Sequence, residues 1–121
     1  GVLLIVKNYT GDVMNFEMAA DLADADDIKV EQIVVDDDIA VEDSTVTTGR
    51  RGVAGTVLVH KITGAAAEAG ASLDDLKALG ENVITSVRTL VYPLPPCTVP
   101  EVGHPAFELR YYEIDLGFVI H

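Results

Sequence analysis

The order of apolar and polar residues divides the chain into alternating strands and helices. Val2-Leu3-Leu4-Ile5-Val6 is short, continuously apolar and partly β-branched, the pattern of a strand buried on both faces. Lys7 to Gly11 supply polar and turn residues, and Asp12 stands before a helical segment ending at Leu22. There Val13, Phe16 or Glu17, Ala20 and the ridge Met14–Met18–Leu22 recur at helical spacing. Lys29 to Val35 predicts a second strand, closed by Asp36-Asp37-Asp38, with polar residues following to Gly49. A helix is then expected from near Gly52 to Ala69, with Gly70 as its stop. Val53, Ala54, Val57, Leu58, Ile62, Ala65 and Ala66 surround it with small apolar groups, which predicts a largely buried helix. Gly55 and Gly64 each cost it about 1 kcal/mol relative to alanine, and close backbone packing is the expected compensation. Ser72 is a fitting N-cap for a further helix from Leu73, with Asp75 in the capping-box position. A third strand is expected from Arg88 to Tyr92. Pro93, Pro95, Pro96 and Pro100 then forbid regular structure, and residues 107–120 return to strand-like alternation. The expected fold class is α/β, a layered domain with a mixed β-sheet flanked by helices.

Composition narrows the function classes. At 121 residues the chain suits one domain with one core, and 49% apolar content argues against disorder. No apolar run approaches the ~18 residues of a membrane span. Cys97 is the only cysteine, which excludes a disulfide-stapled module. A net charge of −12 repels phosphates and anionic lipid, so neither nucleic acid nor membrane is an expected partner. The acidic surplus fits either adaptation to high salt or an acidic domain of an ordinary cell. The chain opens inside an apolar run, with no basic stretch or cleavage site before it and no methionine. A cytoplasmic location and a piece of something larger are therefore expected.

In open α/β sheets ligands lie beyond the carboxyl ends of the strands, which selects Lys7-Asn8-Tyr9-Thr10-Gly11-Asp12 as the first candidate site. It places a cation, a phenol, a hydroxyl and a carboxylate at the mouth of a helix. The competing reading is a solvated connection with Asp12 as a helix N-cap. Asp36–Asp38 could attract a divalent cation, but no calcium-loop spacing follows, and a solvated acidic loop is the favoured reading. Arg50-Arg51 lacks the Gly-Lys-Ser/Thr of a phosphate loop, so pairing with nearby acids is expected. Cys97 reads as packing, with no basic neighbour to activate it. No metal pattern connects His60, His104 and His121, and no metal site is expected. His60 reads as structural on a buried helix and His104 as a loop residue. His121 follows Phe118-Val119-Ile120 as a neutral imidazole beside a core, and its role stays open on these grounds.

The segment from Gly1 to Asp12, with Asn15-Phe16-Glu17 behind it, resembles the dihydroxyacetone (glycerone) kinase family, and in particular its dihydroxyacetone-binding subunit or domain. The resemblance continues through Val35 to Val41, Gly49 to Val57, His60-Lys61-Ile62, Gly64 to Glu68, Pro96 to Pro100 and the closing Ile120-His121. It implies that residues 1–121 are part of a dihydroxyacetone-binding kinase domain. It further implies that His121 captures dihydroxyacetone covalently as a hemiaminal, that Asp12 accepts the proton of the attacking hydroxyl, and that Lys7 hydrogen-bonds the same molecule. A neutral imidazole is a nucleophile toward a ketone, so glycerol, which has no carbonyl, would be rejected by chemistry. The implied product is dihydroxyacetone phosphate. No cofactor is expected in this domain itself: ATP, or ADP in the phosphotransferase-system branch, would sit with magnesium on a partner domain or subunit. A homodimer is also implied.

The sequence departs from the family in three respects. The upstream glycine-rich loop with a second active-site histidine is absent, and so is the C-terminal domain. The family's Gly-Val-Gly-Ile-His reads Gly117-Phe118-Val119-Ile120-His121, which places a β-branched residue just before the nucleophile. A non-enzymatic paralogue acting as a dihydroxyacetone-responsive regulator is the alternative.

Overall fold

The computed structural model describes residues 1–40, 49–92, 98 and 100–105. The elements run β1 (Val2–Lys7), α1 (Thr10–Ala25), β2 (Val30–Val35), α2 (Gly55–Glu68) and α3 (Leu73–Ser86). β1 and β2 pair in parallel, Val2 opposite Val30 through Lys7 opposite Val35, with α1 as the crossover. This βαβ unit, with α2 and α3 packed on each other and on the sheet, bears out the α/β layered class. The segment 107–120, expected to make the sheet mixed, lies outside the described residues.

The core forms where the two-residue alternation of β2 turns Ile33 and Val35 toward α2, which contributes Val59. Leu3 and Ile5 of β1 and Val83 and Ile84 of α3 close around these three. Val6 belongs to the opposite face of the sheet and is buried as well. The rest of β1 is only half-covered, and Val2 is exposed, so the double burial expected from its apolar run is partial among the described residues.

α1 is longer than the periodicity suggested and faces differently. Val13, Ala20 and Ala23 are its partly covered apolar positions, whereas Met14, Met18 and Leu22 are 60, 62 and 71% exposed. The helix ends at Asp26, after which Asp27 takes φ +58°, a left-handed turn that aspartate tolerates, while Ile28 N donates to Ala23 O at 3.0 Å. α3 begins as expected. Ser72 Oγ accepts from Asp75 N at 3.2 Å and donates to Asp75 Oδ2 at 2.6 Å. Gly70, at φ +89°, stops α2.

Two expectations are corrected. α2 buries one narrow stripe, Gly55, Val59 and Thr63, while Val57, Leu58 and Ile62 are exposed. One face of a helix can meet a two-stranded sheet, and the described residues offer nothing to cover the rest. Residues 88–92 form no strand: Thr89 alone makes a parallel bridge, to Asp38. Thr89 N donates to Asp37 O at 2.8 Å and Ile39 N to Thr89 O at 3.0 Å, but Asp38 N is already engaged by Arg51 O at 3.0 Å. The pairing stops at this one bridge among the described residues.

Candidate functional site

Parallel pairing brings the carboxyl ends of β1 and β2 to the same edge of the sheet. Lys7 is the last residue of β1, Asn8 N donates to Val35 O at 2.9 Å, and α1 starts at Thr10. The expected site loop is thus compressed to a tight link at the strand ends. Asp12 is not the N-cap; that place falls to Tyr9, whose backbone is extended, and Asp12 lies in the first helical turn. A carboxylate there is stabilised by the positive end of the helix dipole.

The loop after β2 docks onto this link. Asn8 Nδ2 donates to Arg50 O at 2.7 Å. Gly52 sits so close that a Cβ would strike Val35 O, Asn8 N and Lys7 Cα, all backbone atoms, so only glycine fits. Two members of the acidic triplet are not the solvated loop residues expected. Asp37 and Asp38 are both fully buried, and each carboxylate is engaged. Asp37 accepts from Val53 N at 2.8 Å and Gly55 N at 2.7 Å, and Thr89 Oγ1 donates to its second oxygen. Ala54, the N-cap of α2, makes no side-chain cap, so Asp37 supplies one from the preceding strand end, and α2 starts at Gly55 rather than Gly52. Asp38 takes Arg51 Nε at 2.9 Å and Nη2 at 2.7 Å on one oxygen, and Ala40 N at 2.9 Å on the other. Arg50 reaches Asp36 at 3.3 Å. The expected pairing of both arginines with acids is therefore present. A buried charge that lacks such partners costs several kcal/mol, so these residues hold one another in place.

Tyr9, which the sequence marked only as one polar group among several, is 3% exposed beneath this assembly. Burial pushes its phenol above the usual value; Arg51 opposes that shift, and Asp38, Asp12 and Asp37 add to it. The Lys7 ammonium stands over the Tyr9 ring, 5.3 Å from its centroid. The Lys7 ammonium therefore stands over a buried ring whose phenol also feels the charge of Asp12, in the first turn of α1. His121 and Cys97 lie outside the described residues. His60 is exposed on α2, not buried as expected. His104 lies on a turn, its Nδ1 3.2 Å from Pro105 O. Two shallow hollows, about 500 Å³ beside Gly1, His60 and Leu73 and about 560 Å³ beside Asp36, Arg50 and Arg88, do not include Lys7 or Asp12.

Comparison with known proteins gives this arrangement a context. The chain is 85% identical over its full length to the PTS-dependent dihydroxyacetone kinase 1, dihydroxyacetone-binding subunit DhaK, of Listeria innocua, of which it covers 37%. The crystal structure of the dihydroxyacetone kinase of C. freundii, native form, superposes with a TM-score of 0.85 at 38% identity, over 97% of this chain and 21% of that one. The dihydroxyacetone kinase operon co-activator Dha-DhaQ superposes with a TM-score of 0.87 at 37% identity, over 99% of this chain and 37% of that one. The chain spans about a third of the length of the curated subunits it matches. The family model described as the Dak1 domain matches residues 1–121, and the chain belongs to that family.

Proposed function

We propose that this chain is the substrate-binding part of a dihydroxyacetone kinase, with Lys7 and Asp12 as ligands of the ketose and His121 as its covalent anchor. The observation that carries the reading is that Lys7 ends β1 and Asp12 opens α1 at the carboxyl edge of the sheet, in a chain 85% identical to a named dihydroxyacetone-binding subunit. In the proposed capture, the lone-pair nitrogen of neutral His121 adds to the ketone carbon. The carbonyl oxygen takes up a proton and the other ring nitrogen releases one, leaving a neutral hemiaminal. Lys7 donates to an oxygen of the bound ketose. Asp12 orients the free hydroxyl and receives its proton as the oxygen attacks phosphorus; positioning and charge stabilisation dominate such transfers. We assign the nucleotide and magnesium to a partner subunit or domain, as the family resemblance implies. A homodimer and a cytoplasmic location complete the reading.

Carbon-13 labelling at the ketone carbon tests it. With protein in excess, the label should leave the carbonyl region of the NMR spectrum for the tetrahedral region, and His121→Ala should abolish the change. A label that keeps its carbonyl position would overturn the capture. The likeness to an operon co-activator favours a second reading, a dihydroxyacetone-responsive regulator. Capture without phosphoryl transfer, in the presence of a competent donor subunit, would select it.

A further inference from the structure

Among the described residues, the buried Asp38–Arg51 pair acts on the Tyr9 phenol, and the Tyr9 ring in turn carries the Lys7 ammonium. Asp38 is fully buried and grips Arg51 through two nitrogens. The Arg51 loop is tied to the Tyr9 link by Asn8 Nδ2 on Arg50 O and by the backbone contact at Gly52. Tyr9 is buried, and its ring carries the Lys7 ammonium. Lysine has four rotatable bonds and, at the end of a strand, no intrinsic reason to hold one direction. An ammonium within about 6 Å of a ring centroid is drawn to the negative face of the ring.

We infer that Tyr9 is a positioning residue whose buried ring holds the Lys7 ammonium in the direction from which it meets the ketose. This rests on the reading of Lys7 as a substrate ligand. The phenol oxygen is not needed for the effect; the face of the ring is. The cation is attracted equally whether the ketose is in its ground or transition state, so the loss belongs in KM and not in kcat.

The test is steady-state phosphorylation of dihydroxyacetone by the native protein with its phosphoryl donor, for Tyr9→Phe, Tyr9→Leu, Lys7→Met and the Lys7→Met/Tyr9→Leu double variant. Tyr9→Phe should keep KM within about twofold of the parent. Tyr9→Leu should raise KM about five- to tenfold, the range expected for a partly desolvated cation over a ring, with kcat moved less than about twofold. The double variant should be no worse than Lys7→Met alone, because the ring acts only through the ammonium. If Lys7→Met raises KM while Tyr9→Leu leaves it unchanged, or if the two effects add, the inference is overturned and the reading of Lys7 stands. If Lys7→Met leaves KM unchanged, the reading of Lys7 fails and the inference fails with it. Should Tyr9→Leu not fold, singly, doubly and triply fluorinated phenylalanine at position 9 decide the matter. Fluorine drains the ring face at little change in shape, so KM should climb with each atom added; a flat series overturns the inference.

Discussion

Asp37 shows how one residue can be read wrongly from its neighbours and rightly from its partners. Inside Asp36-Asp37-Asp38 it looked solvated, yet it is fully buried and accepts from Val53 N, Gly55 N and Thr89 Oγ1. Hydrogen bonds to a charged group contribute about 1.5–3 kcal/mol each, so Asp37→Ala should lower stability by about 3 kcal/mol or more, read as a fall in the urea midpoint. Asp12 is instead the proposed proton acceptor. Asp12→Asn keeps the shape and removes the proton acceptor, so kcat for dihydroxyacetone phosphorylation should fall about a hundredfold or more with KM little changed. Tyr9 contributes a pH dependence. Its folded-state pKa lies above that of the unfolded chain because burial disfavours the phenolate, so above about pH 10 the unfolded state releases the proton first. Stability should therefore fall as pH rises through that range, and Tyr9→Phe should flatten the decline in alkaline urea titrations.

At the scale of elements, glycines of equal sequence cost separate into two kinds in α2. A Cβ on Gly55 would meet Val87 Cγ1 and Asp37 Oδ2, whereas one on Gly64 meets nothing within 4 Å. The close packing expected for both glycines holds only for Gly55. Gly64→Ala should stabilise the chain by about 0.5–1 kcal/mol through helix propensity alone, and Gly55→Ala should destabilise it by displacing the Asp37 cap; paired thermal melts separate the two. The α3 cap, by contrast, was visible in advance, because Ser72 and Asp75 are three residues apart and capping is local. The cap of α2 was hidden because its carboxylate comes from 18 residues upstream of Gly55.

At the scale of the whole molecule, charge and uncovered apolar surface dominate. The ion pairs Lys29–Asp74 and Lys77–Glu31 are 2.6 Å long but lie at or near the surface, where solvent and salt screen such pairs and they contribute little. A net charge of −12 repels itself over the entire surface. Salt weakens both, and with twelve uncompensated negative charges against these two pairs, raising sodium chloride toward 1 M should raise the thermal midpoint. A fall would mean that the ion pairs outweigh the repulsion.

The sequence by itself determined the elements that rest on local rules. These are the apolar strand at Val2–Val6, the aliphatic end of the second strand, the Ser72 cap, the Gly70 stop and the alternation that makes an α/β fold. It also singled out the loop from Lys7 to Asp12 by its place at a strand end, whereas the roles proposed for Lys7 and Asp12 come from the family resemblance. Only the tertiary structure decided which apolar positions are covered, because helical spacing allows Met14–Met18–Leu22 and Val13–Ala20–Ala23 equally and packing selects between them. It likewise decided the burial of Asp37, Asp38 and Tyr9. Each depends on partners brought from elsewhere in the chain, and a buried polar group is tolerable only when those partners are in place.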